Sequence, residues 1–260
     1  MRVIDSHSHL YLEQFKSDLP EVIARAKGVG IEKILLPNVD DTTISSLLEM
    51  CSIWSDYCYP MMGLHPTSVK KDYLLKLKTV KKELDRNLDR YIGVGEIGLD
   101  FYWDKTFIRE QKKALIEQLN WAVQYDLPVV IHCREAFSDI FEVLEEFKEL
   151  PLRGVFHSFT GTKEELLNAL SYESFYIGIN GIVTFKNASL SELIPFIPTE
   201  RLLLETDAPY LAPVPMRGKR NESSFLIHTL MKVASCYSIG VDDLGIITIK
   251  NTKRLFGKLE

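Results

Sequence analysis

Short apolar runs alternate along the chain with longer segments in which apolar residues recur at helical spacing. Eight of the short runs have the length and composition of buried strands. We predict strands over Val3–Asp5, Lys33–Pro37, Pro60–Leu64, Tyr91–Glu96, Pro128–His132, Gly154–His157, Ser174–Ile179 and Leu202–Glu205. Because roughly one βαβ unit separates each run from the next, the pattern indicates parallel strands joined by helices.

The intervening segments are amphipathic. Within 109–125 the apolar residues Leu115, Leu119 and Ala122 fall on one helical face, and 138–148 shows the same periodicity. Eight alternating units in 260 residues predict an α/β fold, a single (β/α)8 TIM barrel that occupies residues 1–260 as one domain. The alternative is an open, doubly wound sheet.

Residues that can bind metals or move protons fall at the ends of the predicted strands, which form the catalytic face of a TIM barrel. They are His7, His9, His65, Glu96, His132, His157, Glu205 and Asp207. One such histidine is usually a structural residue, but five independent structural histidines would not share one face. The sixth histidine, His228, falls in a helical pattern and is interpreted as structural or solvated.

His7 and His9 follow the first apolar run with one residue between them. In an extended strand this spacing points both imidazoles to one face, where they can bind a single divalent ion. Alone the motif is weak, because a solvated histidine pair has the same spacing.

Histidine and carboxylate donors without cysteine are typical of catalytic rather than structural metal sites. The predicted ligands exceed the shell of one tetrahedral ion, so we expect two divalent cations, Mg²⁺ or Zn²⁺ with Mn²⁺ as a third alternative. The predicted metal ligands are His7, His9, Glu96, His132, His157 and Asp207. Glu96 is expected to bridge the ions. Such a centre suits phosphate-ester hydrolysis by a metal-activated water, with Asp207 as general base.

A basic loop follows the last predicted strand and contains Arg217, Lys219 and Arg220. Arginine and lysine at this position can contact phosphate, although a solvated loop is equally consistent with the sequence. Arg134, two residues after His132, is a further candidate for the same role. The aromatic residues at 101–103 are candidates either for base stacking or for packing in a lid.

Composition limits the alternatives. A net charge of −5 disfavours non-specific coating of nucleic acid but leaves room for a local basic patch. The sequence shows neither a signal-peptide pattern nor an apolar stretch of membrane-spanning length, so we expect a cytoplasmic protein that does not enter a membrane. The four cysteines lack CxxC spacing and are expected to be reduced thiols.

Several longer segments resemble the TatD-like metal-dependent deoxyribonucleases of the amidohydrolase superfamily. The segments that carry the resemblance are 4–10 (IDSHSHL), 93–100 (GVGEIGLD), 156–161 (FHSFTG), 178–186 (GINGIVTFK), 204–213 (LETDAPYLAP), 217–222 (RGKRNE) and 251–256 (NTKRLF). They follow one another in order over nearly the whole chain. Two positions depart from the family pattern: Tyr11 stands where Asp is common, and Ser223 where Pro is usual.

The resemblance implies a TIM barrel with a two-metal centre. It assigns His7, His9, Glu96 and Asp207 to one ion and Glu96, His132 and His157 to the other. It also makes His65 and Arg134 candidate phosphate contacts. The implied activity is hydrolysis of DNA phosphodiesters, often Mg²⁺-dependent and from a 3′ end, so the expected partner is DNA, single-stranded or at 3′ ends, or another phosphoester.

Two other functions remain open at this stage. A hydrolase of C–N or C–O bonds in a small substrate would use the same metals without needing the basic loop, because fold alone does not fix the reaction. A metal-stabilised binding protein would need no catalysis. The sequence leaves the oligomeric state open, with a monomer favoured.

Overall fold

Eight parallel strands with helices between them form the frame of the protein in the computed structural model, which describes residues 1–259. The strands are β1 (Val3–Asp5), β2 (Ile31–Pro37), β3 (Cys58–Met61), β4 (Val94–Asp100), β5 (Val129–Arg134), β6 (Gly154–Phe156), β7 (Phe175–Ile179) and β8 (Leu202–Leu204). The α-helices are α1 (Leu19–Gly28), α2 (Ile44–Ile53), α3 (Tyr73–Arg86), α4 (Ile108–Tyr125), α5 (Phe137–Glu145), α6 (Lys163–Ser171), α7 (Leu190–Leu193), α8 (Leu226–Tyr237) and α9 (Val241–Phe256).

The strands pair in chain order as two parallel sheets, β1–β2–β3 and β4–β5–β6–β7–β8. Backbone hydrogen bonds join the sheets at both seams. At one seam the Gly95 N–H donates to the Met62 carbonyl at 3.1 Å, and at the other the Ser6 N–H donates to the Leu204 carbonyl at 3.1 Å. The predicted TIM-barrel architecture is therefore confirmed.

The inside of the barrel is filled by apolar side chains from around the ring of strands, as expected for a packed barrel core. This interior cluster consists of Ile4, Leu35, Met61, Ile92, Val130, Val155, Tyr176, Leu203, Leu255, Phe256 and Leu259. Its last three members come from the end of α9 and the residues that follow it. They pack on the N-terminal side of the strands, so the polar side chains collect at the opposite end.

Two strand ends differ from the prediction in a way that matters for the site. β4 continues to Asp100, so Glu96 is its third residue and not its last, and β5 continues past His132 to Arg134. The prediction ended these strands at the first ionisable side chain, but the parallel pairing of β4 with β5 continues to Asp100 and Arg134. At Gly98, where φ is +145°, a Cβ atom would lie 1.9 Å from the His132 carbonyl oxygen, so only glycine allows this close pairing.

Helices predicted from periodicity are confirmed in α4 and α5. The four cysteines are unpaired. Over residues 1–259 no single helix is long and apolar enough to cross a membrane. One bent pair, Ser223–Tyr237 with Val241–Phe256, meets the length and composition test when taken together.

Candidate metal centre

Glu96 lies at the middle of the polar end of the barrel, and its side chain is almost completely buried. Its two carboxylate oxygens face different histidines. Oε2 lies 3.2 Å from His7 Nε2 and 3.4 Å from His9 Nε2. Oε1 lies 2.9 Å from His132 Nδ1 and 3.3 Å from His157 Nε2. One carboxylate thus joins two groups of donor atoms.

The first group, the His7 cluster, consists of His7, His9 and Asp207 around Glu96 Oε2. His7 Nε2 and His9 Nε2 are 3.2 Å apart, and Asp207 Oδ1 lies 3.8 Å from the first and 3.5 Å from the second. Donor atoms about 2.1 Å from a tetrahedral ion are about 3.4 Å from one another. The cluster therefore has the spacing of a coordination shell.

Backbone pairing across the seam between β1 and β8 builds this cluster. β1 ends at Asp5, as predicted, so both histidines lie beyond the strand. An isolated parallel bridge between Ser8 and Ala208 nevertheless keeps the segment extended. The Asp207 N–H donates to the His7 carbonyl at 2.9 Å. The alternation expected of a strand therefore survives past its end, and both imidazoles reach Glu96.

The second group, the His132 cluster, consists of His65, His132 and His157 around Glu96 Oε1. His65 Nε2 lies 3.2 Å from this oxygen and 3.3 Å from His132 Nδ1. His65 was predicted as a phosphate contact, and the structure places it at the spacing of the candidate ligands, next to the space that a phosphate would enter.

Carboxylates orient two histidines of the His132 cluster. His132 Nε2 donates to Asp100 Oδ2 at 2.9 Å, and His157 Nδ1 donates to Glu205 Oε1 at 3.0 Å. Such partners fix the tautomer that leaves the other ring nitrogen free to bind a cation. Asp100 was missed as a site residue because β4 was predicted to end at Glu96. The even spacing of these two residues on one strand was the signal that could have found it.

Both departures from the family pattern lie behind the His7 cluster. Tyr11 Oη accepts from His9 Nδ1 at 3.0 Å and donates to the Pro37 carbonyl at 2.5 Å. Ser223 Oγ donates to the buried Asp5 carboxylate at 2.5 Å. A phenol and a hydroxyl thus complete the hydrogen bonding of the layer beneath the candidate ligands.

The acids and histidines of the centre shift one another's pKa values. Burial raises the pKa of Glu96, but the surrounding imidazoles outweigh it and hold that pKa well below its usual range. Burial lowers the pKa of His9, whereas its contacts with Asp207 and Glu96 raise it to about 10. Similarly, Glu205 and Glu96 overcome burial and raise the pKa of His157 well above its usual range. The buried carboxylates therefore stabilise positive charge on the groups beside them.

The donor set fits divalent cations. Imidazole nitrogen with carboxylate oxygen suits Zn²⁺ and related ions, and a cation would supply the positive charge that protonated histidines otherwise provide. His7 Nδ1 is buried without a hydrogen-bond partner within residues 1–259, although its Nε2 lies inside the cluster. This ring is positioned by packing against His157, with ring centroids 3.6 Å apart.

A cavity of about 440 Å³ opens above the two clusters. Arg134 is the one lysine or arginine among the described residues that line it, and no carboxylate within residues 1–259 forms an ion pair with its guanidinium. The guanidinium lies 3.8 Å from the centroid of the Tyr102 ring and 5.3 Å from that of Trp103. Arg134 is therefore fixed by aromatic packing and free to meet an anion.

The basic loop after β8 is placed differently from Arg134. Arg220 donates to both carboxylate oxygens of Asp18 at 2.8 and 2.6 Å. The Arg217 guanidinium stacks on Phe185, 3.9 Å from the ring centroid, and lines a separate cavity. Lys219 is solvent-exposed. None of these three cations lines the cavity above Glu96 in the part of the chain that the structure describes.

This chain is similar to known proteins over nearly its whole length. The sequence profile of the TatD related DNase family matches residues 4–257. The uncharacterized metal-dependent hydrolase YabD of Bacillus subtilis is 37% identical over 255 residues, covering 98% of each chain. The 3′-5′ ssDNA/RNA exonuclease TatD of Pantoea ananatis is 34% identical, covering 98% of this chain and 99% of that protein.

A solved structure supports the same relationship. The crystal structure of YJJV, a TatD homologue from Escherichia coli, superposes with a TM-score of 0.92 at 28% identity, over 98% of each chain. Both the family profile and the relatives thus span the barrel from its first strand to its last helix. The chain therefore belongs to the TatD related DNase family.

Proposed function

We propose that this protein is a metal-dependent phosphodiesterase that hydrolyses single-stranded nucleic acid at the centre built around Glu96. The observation that carries the proposal is the position of this carboxylate, whose two oxygens face the two donor clusters separately. That arrangement is suited to two cations a few ångströms apart, the spacing that supports in-line displacement at phosphorus.

The ligands we propose for one cation are His7, His9 and Asp207, and for the other His132 and His157, with Glu96 shared between them. The imidazole-rich donor set favours Zn²⁺ over Mg²⁺ and Mn²⁺, which prefer oxygen ligands. When bound, such ions would activate water at neutral pH and neutralise charge on a phosphate.

Three side chains of the cavity have proposed roles beyond metal binding. Asp207 is the most exposed of the site carboxylates, with 14% of its side-chain surface accessible, and this exposure supports a role as acceptor of a proton from the attacking water. Arg134 provides paired donors for a non-bridging phosphate oxygen. His65 Nε2 faces the same space and is the proposed second phosphate contact.

Two observations support nucleic acid as the substrate. The relative from Pantoea ananatis is named a 3′-5′ ssDNA/RNA exonuclease. The cavity also combines exposed aromatic rings with an arginine that forms no ion pair within residues 1–259, which suits a strand whose bases are unpaired. We therefore propose exonucleolytic cleavage from the 3′ end, with DNA and RNA both tested as substrates.

The proposal is tested with His132→Ala and Asp207→Asn, with His228→Ala as the matched control. His228 is half-buried on α8, outside both clusters. Both site variants should lose at least about a thousandfold in kcat on single-stranded DNA with added Zn²⁺, Mn²⁺ or Mg²⁺, because the first removes a proposed metal ligand and the second removes the proposed proton acceptor. The control should retain wild-type rates. Undiminished metal-dependent cleavage by both site variants would refute the assignment.

The same assay separates nuclease activity from hydrolysis of C–N or C–O bonds. The wild-type protein is given single-stranded DNA, single-stranded RNA, a cyclic amide and a simple carboxylic ester under identical metal loading. Cleavage of the nucleic acids alone supports the proposal. Cleavage of only the amide or ester would assign the centre to the alternative reaction.

A further inference from the structure

We propose that Trp103 and Tyr210 form two base-stacking walls of the cavity, and that Tyr102 holds Arg134 between them as the phosphate contact. This inference rests on the proposed nuclease function and specifies which side chains recognise the strand. It predicts that the protein recognises bases through their aromatic faces and without regard to their identity.

Trp103 is a large aromatic side chain at the cavity rim with 69% of its surface exposed. Exposing so much apolar surface gives no stability to the folded chain, since the hydrophobic effect favours its burial. The ring of Trp121 shows the ordinary case, being only 3% exposed inside the helical layer. A ligand with flat apolar faces would cover the exposed ring of Trp103.

The turn that carries Trp103 is tied directly to the candidate metal centre. Asp100 Oδ1 accepts from the backbone N–H groups of Tyr102 at 3.1 Å and Trp103 at 3.2 Å, while its Oδ2 accepts from His132. One buried carboxylate thus positions both a candidate ligand and the aromatic turn. The stacking surface is therefore fixed relative to the reacting phosphate and is not a loosely hinged lid.

Tyr210 stands on the other side of the same cavity, with 51% of its surface exposed. It follows β8, whereas Trp103 follows β4. Four positions separate these strands around an eight-stranded ring, so their loops lie across the barrel mouth from each other. Asn221 Nδ2 donates to the Tyr210 carbonyl at 2.6 Å and fixes this loop. The centroid of the Tyr210 ring is 6.5 Å from that of the His9 ring, so Tyr210 lies next to the His7 cluster.

The charges of the cavity explain why stacking is needed. The described lining contains three carboxylates, those of Glu96, Asp100 and Asp207, against the single guanidinium of Arg134. Outside the immediate reach of bound cations, the phosphates of a nucleic-acid strand would therefore gain little electrostatic attraction from this lining. Contacts with the uncharged bases supply affinity that does not depend on the charge of the backbone.

The test compares Trp103→Ala with Phe196→Ala on a short 5′-labelled oligothymidylate. Phe196 is a matched control because it is also exposed, at 44%, and also packs against a cation, Lys163, but does not line the cavity. Trp103→Ala should raise KM about tenfold with little change in kcat. Trp103→Phe should restore most of the affinity. The control should match wild type.

A second substrate separates stacking from a general structural effect. The same strand carrying abasic residues at its 3′ end keeps the phosphates but offers no base to stack. Trp103→Ala and Tyr210→Ala should leave its KM nearly unchanged, because Tyr102, at 3.8 Å, still packs on the Arg134 guanidinium when the more distant Trp103 ring is removed. Tyr102→Ala should weaken binding of both strands because it removes that nearer contact. Equal losses on both strands for Trp103→Ala, or no loss on either, would overturn the inference. Failure of the wild-type protein to cleave any nucleic acid would instead reject the proposed nuclease function.

Discussion

The two donor clusters around Glu96 are supported in different ways. In the His132 cluster, two histidines donate to carboxylates, His132 to Asp100 and His157 to Glu205. In the His7 cluster, His9 donates to the neutral phenol of Tyr11. An ionised acceptor forms a stronger hydrogen bond with the imidazole and raises its basicity more than a phenol does. The two ions of the proposed centre should therefore differ in affinity.

The two clusters also differ in where their negative charge lies. The His7 cluster has Asp207 among its donors, so its negative charge would contact the cation directly. The His132 cluster has only imidazoles besides the shared Glu96, and its additional negative charge lies one hydrogen bond further away. Asp207 is also the side chain proposed to act on water. We infer that the His132 cluster mainly holds its ion and that the His7 cluster takes part more directly in the reaction.

Glu96→Gln should have the largest effect, because it removes the one donor that the clusters share. An amide has no negative charge and only one oxygen, so it cannot bridge two cations. We expect metal content to fall from the two equivalents of the proposed centre towards zero and the proposed hydrolysis to be lost. Elemental analysis after gel filtration measures the first, and thermal unfolding confirms the fold. Two retained equivalents would show that Glu96 is not the bridge.

Asp100→Asn should weaken the His132 cluster selectively. If the amide keeps its oxygen on the backbone N–H groups of Tyr102 and Trp103, its NH₂ group faces His132 Nε2. That ring then carries its proton on Nδ1, the nitrogen that faces Glu96, and cannot ligate. Loss of such a partner typically costs about 10–100-fold in metal affinity.

The control for this variant is Asp104→Asn on the same loop. Asp104 pairs with Lys70 and contacts neither cluster. Calorimetric titration of the metal-free proteins with Zn²⁺ should show one weakened site in the first variant and none in the control. Two equally weakened sites would mean that Asp100 supports the whole barrel mouth and not one cluster.

Much of the fold could be predicted because strand alternation and helical periodicity are local properties. The eight predicted strands overlap the eight observed ones, and α4 begins one residue before its predicted start and ends where predicted. The strand ends were harder to predict. Charged residues usually mark the end of a buried strand, yet β4 extends through Glu96 because the polar layer of the barrel accommodates charged side chains that pair with one another.

The candidate ligands could be predicted because each one follows a buried apolar run in the sequence, although β4 continues past Glu96. Their supporting residues could not, since the role of Tyr11 depends on its reach across β2 to the Pro37 carbonyl. The basic loop shows a second contact that local sequence does not reveal. Its charges predicted phosphate contacts, but Arg220 is paired with Asp18, a residue 202 positions away in sequence. Long-range pairing of this kind leaves no local pattern.

Tyr11→Phe should have a smaller effect, confined to the His7 cluster. It removes the oxygen that accepts from His9 and donates to Pro37, leaving both buried groups without partners. A neutral hydrogen bond of this kind contributes about 1 kcal/mol, so the affinity of one metal site should fall about fivefold. The same Zn²⁺ titration measures it. A loss as large as that of Asp100→Asn would erase the proposed difference between the clusters.

Arg220→Met should have the smallest effect on the centre and should act only on stability. The guanidinium holds the pKa of Asp18 below its usual range and anchors the loop between Asp207 and α8 to the start of α1. This half-exposed pair should contribute about 1 kcal/mol or less to the free energy of unfolding. The contribution should be complete above about pH 4 and should disappear as the pH falls through the depressed pKa of Asp18. Urea unfolding at several pH values measures this contribution against Lys219→Met, which removes a charge from the same loop.

Because Arg220 is already paired, its loss should leave the salt dependence of DNA binding unchanged. A shallower salt dependence of DNA binding in Arg220→Met would show that this arginine contacts phosphate.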